Sequence, residues 1–118
     1  MKVKNRAKGL ELDGVEYCAS FTKLTKGLMG KKQGKALLHF KKEGIFGIWM
    51  LFMRFPIDIA FISKDREIIT IGRNLKPISL NLNTWKIYYP TKKAQYVLEV
   101  EQGGLSKFEI GDKLEFIF

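Results

Sequence analysis

Gly47-Ile-Trp-Met-Leu-Phe-Met-Arg-Phe-Pro-Ile-Asp-Ile-Ala-Phe-Ile62 is the stretch on which the fold turns. It is densely apolar, yet Arg54, Pro56 and Asp58 fall within five positions of one another. The apolar length from Gly44 to Ile62 raises the question of a membrane helix, since a span needs about 20 mostly apolar residues. A central Arg and Asp would each oppose insertion by roughly 2.5–3.5 kcal/mol, and Pro56 breaks a helix in the middle of the run. Beyond Pro56, Ile57, Ile59 and Phe61 share one face of an extended chain, and Asp58 falls on the other with Ala60 and Ile62. The segment reads as the central strand of a globular domain, and no membrane span is expected.

Working outward, Ser63-Lys-Asp-Arg66 is a turn and Glu67–Gly72 a returning strand, which predicts a hairpin. Upstream, Val15–Ser20 follows the turn pair Asp13-Gly14 and reads as a strand. Ala36–Phe40 and Ile45–Phe52 do so too, with Lys41-Lys-Glu-Gly44 as the turn between them. Downstream, Trp85–Tyr89 reads as an edge strand stopped by Pro90, and Ala94–Val100 and Lys113–Phe118 as the late strands. Helix is expected only as short pieces near residues 22–29 and 104–108. Short strands recurring at roughly 8–15-residue spacing predict a compact, mainly β domain: an antiparallel barrel or sandwich with one or two short helices.

The 118 residues suffice for one domain with a single core. Hydrophobic residues make up 46% and charged residues 28%, the balance of an ordered globule rather than a disordered chain. Cys18 is the sole cysteine, which excludes an internal disulfide and a cysteine metal cage and agrees with a cytoplasmic setting. Only seven residues are Asn or Gln while Lys, Glu and Ile abound, a bias like that of thermophile proteins. The net charge of +9 is uneven. Residues 1–42 hold 11 Lys/Arg against 3 Asp/Glu, a balance of +8, and residues 43–118 hold 10 against 9, a balance of +1. Such a basic third attracts nucleic acid or anionic surfaces, or is simply a solvated face.

Gly27-Leu-Met29, Leu37-Leu-His-Phe40, Trp49-Met50 and Pro56-Ile-Asp-Ile-Ala-Phe-Ile62 form a set with a known spacing, continued by Pro77, Tyr96-Val-Leu-Glu99, Gly103 and Ile110-Gly-Asp112. On these motifs, over roughly residues 15–118, the chain resembles the family called domain of unknown function 192. The family commonly reads Phe-Trp-Met-Lys-Asn-Thr before its Pro-hydrophobic-Asp segment. Here Leu51-Phe52-Met53 follows Trp49-Met50, and Arg54 supplies a cation slightly later. The resemblance implies a compact, mainly β single domain, and the chain is read as one domain over residues 1–118, its basic arm of about residues 1–14 preceding the family-like core of about 15–118. It implies no assigned catalytic activity.

Three residues are the candidate ligand site. Trp49 offers an aromatic face, and Arg54 and Asp58 offer charges placed to pair or to orient a polar ligand. Asp58 could equally accept backbone N–H groups and hold a turn, and Trp49, Phe52, Phe55 and Trp85 could equally fill the core. His39 stands in an apolar strand with no second histidine, so a hydrogen-bonded structural role suits it. Glu99 and Asp112 would have to converge with Asp58 for paired-carboxylate chemistry. Gly27-Leu-Met-Gly30 before Lys31-Lys32 lacks the spacing of a phosphate loop, and no motif calls for a metal or cofactor.

The reading favoured by these residues is non-catalytic recognition of a small, polar, carbohydrate-like ligand by Trp49, Arg54 and Asp58. A second is a nucleic-acid-binding accessory protein using Lys31, Lys32, Lys35, Lys41 and Lys42, with weak, non-specific, salt-sensitive affinity. A third is a carboxylate-dependent hydrolase.

Overall fold

A computed structural model describes residues 1–19, 34–45, 47–49, 55–76 and 87–118, without the side chains of Ile48, Trp49 and Ile87. Its strands, in chain order, begin with β1 (Lys2–Asn5), β2 (Leu10–Leu12), β3 (Glu16–Cys18), β4 (Ala36–Gly44) and β5 (Ile48–Trp49). They continue with β6 (Ile57–Ile62), β7 (Ile68–Leu75), β8 (Ile87–Tyr88), β9 (Ala94–Glu101) and β10 (Glu115–Ile117). The architecture is mainly β and sandwich-like rather than a closed barrel. A five-stranded sheet runs β3-β4-β9-β6-β7, a three-stranded sheet runs β10-β1-β2, and β5 pairs with β8 as a ribbon.

β6 is buried along its whole length because both faces of the large sheet are covered. On one face Ala60, Ile62, Leu98 and Val100 pack with Val3, Leu12 and Phe116 of the small sheet. On the other, Ile57, Ile59 and Phe61 pack with Cys18, Ala36, Leu38 and Val97, and Tyr88 of the ribbon lies against them. The alternation at residues 57–62 thus separates two cores rather than core from solvent. The predicted hairpin is present: β6 pairs antiparallel with β7 through the turn 63–66. Among the described residues pairing is antiparallel except between β3 and β4.

Three local expectations are corrected. Lys41–Gly44 is not a turn between strands. β4 continues through it, with a register shift between His39 and Gly44. The Gln95 side-chain amide donates to the Phe40 and Lys41 carbonyls at 3.1 and 3.5 Å, satisfying the backbone that the irregularity releases. Residues 2–12, where the sequence pattern predicts no strand, form β1 and β2, paired in register with each other and with β10. Finally, Leu105–Phe108 is a run of turns and not a helix: the amides of Gly104, Ser106 and Phe108 donate to the carbonyls of Glu101, Gly103 and Leu105. Side chains of other strands engage the rest of that backbone, so it has no need of a helical ladder. The helix expected near 22–29 lies outside the described residues. Among the described residues no helix is long and apolar enough to cross a membrane.

Candidate functional site

Asp58 sits in the middle of β6 and is 2% exposed. Its Oδ1 accepts the Asn74 N–H at 2.9 Å, and its Oδ2 accepts those of Gly103 and Leu105 at 3.0 and 3.2 Å. These three bonds satisfy a buried carboxyl for which no salt bridge is found among the described residues. Asn74 and Gly103 both have positive φ, 53° and 87°, so the carboxylate holds two backbones in a conformation that few residues adopt readily. Arg73 clamps the same loop from the opposite polarity, donating to the carbonyls of Leu105 and Phe108, the latter at 2.6 Å. The alternation of side chains along the strand predicts this facing of Asp58 correctly. Arg54, its expected ion partner, lies outside the described residues.

Glu99 is the second buried carboxyl, 5% exposed in β9. It faces away from Asp58, as the register makes plain. Asp58 lies opposite Val100, and Glu99 lies opposite Ile59 on one side and Ala36 on the other. Directly opposed residues share a sheet face, so Glu16, Ala36, Glu99 and Ile59 form one row, with Glu101 two residues along β9. Ala36, between Glu16 and Glu99, carries only a methyl. Among the described residues the Glu99 carboxyl makes no hydrogen bond or ion pair, whereas Glu101 accepts the Gly34 N–H at 3.0 Å. Burial pushes the Glu99 carboxyl up to about 7. At neutral pH it is divided between a neutral acid, which both donates and accepts, and an anion, which only accepts.

Asp112, the third candidate carboxylate, does not join these two. Its Oδ2 accepts from the Asn5 side chain at 2.8 Å and the Glu109 N–H at 2.9 Å, and pairs with Lys8 at 3.1 Å. Burial alone would raise this carboxyl, but those donors outweigh it and hold it below the usual range. Asp58, Glu99 and Asp112 therefore occupy three separate environments. Among the described residues no His, Cys, Asp or Glu cluster could hold a metal ion.

Trp49 is carried on β5, opposite Ile87 of β8, and the ribbon's Tyr88 packs on the face that carries Glu99. Asp58 points into the opposite core. Lys35 donates to the Asp13 carbonyl at 3.2 Å, Lys41 and Lys42 are exposed, and Lys31 and Lys32 lie outside the described residues. Glu99 was legible in the sequence only as a glutamate within an apolar run. Its burial depends on strands far away along the chain.

Together these features define a class: a small β-sandwich domain with one carboxylate locked into the scaffold and another desolvated on the opposite sheet face. Within that class the chain belongs to DUF192, described as an uncharacterized ACR family, whose model matches residues 2–116. The UPF0127 protein of Pyrococcus abyssi is 32% identical over 119 residues, covering 96% of this chain and 95% of the relative. That of Pyrococcus furiosus is 30% identical over 118 residues, covering 95% of each. A solved structure from Sinorhizobium meliloti 1021, provisionally described as a transcription regulator, superposes with a TM-score of 0.82 at 29% identity, covering 97% of this chain and 91% of that one. A protein of unknown function from Novosphingobium aromaticivorans shares the fold at a TM-score of 0.83 and 20% identity, covering 98% of this chain and 83% of its own.

Proposed function

We propose that this protein binds a small, polar, carbohydrate-like ligand, without transforming it, on the sheet face that carries Glu99. One observation carries the reading: a carboxyl 5% exposed, with no hydrogen-bond or ion-pair partner among the described residues, shifted to about 7 by burial. Desolvation of this kind is costly, and perturbed carboxyls of this kind gather at functional sites. As a neutral acid, Glu99 donates through its O–H and accepts through its carbonyl oxygen, the pairing that a ligand hydroxyl requires. Trp49 and Arg54, the ring and the cation that the sequence offers, are the further ligand contacts in this proposal. Asp58 supports the site from behind by fixing the loop that follows β9.

The test is a thermal-shift and calorimetric screen of neutral mono- and disaccharides and polyols at pH 6. A binder should lose at least tenfold in affinity in Glu99→Ala and in Trp49→Ala, and Glu99→Gln should retain most of it. If no member of the panel binds, or if Glu99→Ala binds as the parent does, the reading is wrong.

Two observations favour the nucleic-acid reading as the second one. Lys41 and Lys42 stand exposed side by side on β4, and the Sinorhizobium relative is provisionally described as a transcription regulator. Neutralising Lys31, Lys32, Lys35, Lys41 and Lys42 should then weaken RNA or DNA binding. The salt slope should flatten by about 0.7–0.9 for each phosphate that the protein ceases to neutralise. No binding of mixed oligomers at low salt would eliminate it, because Coulombic attraction is strongest there.

A further inference from the structure

Three carboxyls gather at one end of the sheet face that carries Glu99. Glu16 and Glu99 stand in one row across the sheet, with only the Ala36 methyl between them in that row. Glu101 belongs to the next row, opposite Ile57, and its carboxyl accepts the Gly34 N–H at 3.0 Å. Neighbouring strands lie about 4.8 Å apart, and alternate residues of one strand about 6.6 Å apart, so the three side chains are within reach of one small group. Exposure falls along the set. Glu101 is exposed, Glu16 is half-buried and Glu99 is 5% exposed.

No cation answers these acids within the sheet. Among the described residues, the Glu99 row and the rows on either side of it contain no lysine, arginine or histidine as far as the strands pair. The remaining titratable side chain of those rows is Cys18, and Tyr88 of the ribbon packs on the same face. Among the described residues the Glu99 carboxyl has neither hydrogen bond nor ion pair, and Glu101 has no ion pair. On a chain of net charge +9, this end of the sheet therefore carries a local field of the opposite sign, with a desolvated, unpartnered carboxyl at its inner end.

Glu99 can meet a ligand in two ways. As a neutral acid it suits a hydroxyl, and as a carboxylate it suits an ammonium, which brings three donors and no acceptor. The neighbouring carboxyls decide between them. A neutral ligand laid over Glu99 would desolvate Glu16 and Glu101 further without compensating their charge, whereas an ammonium compensates it through charge-assisted bonds. We propose that the ligand of this face carries a primary amine, an amino sugar in class, whose ammonium meets Glu99 with Glu101 and Glu16 as flanking acceptors. The inference rests on the carbohydrate reading above and names the group that sets its specificity. Glu101, at the exposed end, draws the cation in.

The free protein holds the Glu99 proton up to about pH 7, so capture of an ammonium at pH 6 should expel it. The test is calorimetric titration of the full chain at pH 6, in two buffers of different ionisation heat. The probes are glucosamine, galactosamine and mannosamine, each beside its parent sugar and its N-acetyl derivative. At least one amino sugar should bind tenfold or more tightly than both its neutral counterparts and release a proton, and the counterparts should release none. In Glu99→Gln the release should vanish and the amino sugar should fall to its parent's affinity; Glu101→Gln should weaken the amino sugar at least threefold. Parent sugars that bind as tightly as the amino sugars, amino-sugar binding without proton release, or a preference that survives in Glu99→Gln would overturn this inference. The first of these outcomes would leave the carbohydrate reading standing, whereas no binding by any of the nine probes would defeat both.

Discussion

Removing the Asp58 carboxylate should be among the most damaging single changes available in this domain. In Asp58→Ala three N–H donors lose their acceptor, those of Asn74, Gly103 and Leu105. The bond to Leu105 is wholly buried, and stranding its donor costs about 1–3 kcal/mol. The other two bonds are only partly buried, so water can replace the carboxylate there at about 0.5–1.5 kcal/mol each. The expected loss is about 2–6 kcal/mol, a large fraction of the roughly 5–15 kcal/mol that stabilises a typical domain. Asp58→Asn keeps one acceptor oxygen but turns an NH2 toward a donor, and should lose about half as much. Urea unfolding followed by circular dichroism measures both losses, provided the slope with denaturant stays constant. Amide exchange localises them: the Leu105 N–H should lose protection before the β6 amides do. A loss below about 1 kcal/mol in the alanine variant would refute the reasoning, because even the one buried donor would then have found another partner.

Two further outcomes follow from other parts of the molecule. Glu99 has its carboxyl raised from near 4.5 to about 7 in the folded protein, so the native state holds this proton more tightly than the unfolded chain does. Its contribution is fully present below about 4.5 and is lost as pH climbs toward 7, by about 3 kcal/mol at most; unfolding between pH 4 and 8 should show this fall, and Glu99→Gln should abolish it. Gly104→Ala would place a Cβ 2.8 Å from Val100 Cγ2 and 3.0 Å from the Glu101 carbonyl oxygen. Backbone cannot yield there as a flexible side chain would, so a loss of about 1–3 kcal/mol is expected by urea unfolding, and a neutral result would mean that the 102–107 turns are looser than their hydrogen bonds imply.

The strands most legible in the sequence are those whose pattern is local. Ile57–Ile62 and Ala94–Val100 are apolar runs bounded by Pro56 and Gly103, and both are strands at nearly those limits. The turn at 63–66 announces itself in four polar residues. β1 and β2 announce nothing: Lys2–Asn5 and Leu10–Leu12 have two apolar residues or fewer each, interleaved with charge, and become strands by pairing in register with β10 at the far end of the chain. Leu105–Phe108 departs from its expected helix for the related reason that its backbone partners are side chains on β6 and β7.

The candidate site divides along the same line. Sequence alone determined that Asp58 points away from Ile57, Ile59 and Phe61, because side chains alternate along any extended chain. It also determined a basic, single-cysteine, mainly β domain, because composition and short-range pattern need no tertiary contact. Only the tertiary structure decided what Asp58 holds, since its donors lie 16, 45 and 47 residues away. Only it separated Asp58 from Glu99, because their opposite facing depends on the register of β6 with β9. And only it gathered Tyr17, His39, Tyr96 and Phe116 into one array, because aromatic residues scattered across about a hundred positions become neighbours when strand order, not chain order, sets what is adjacent.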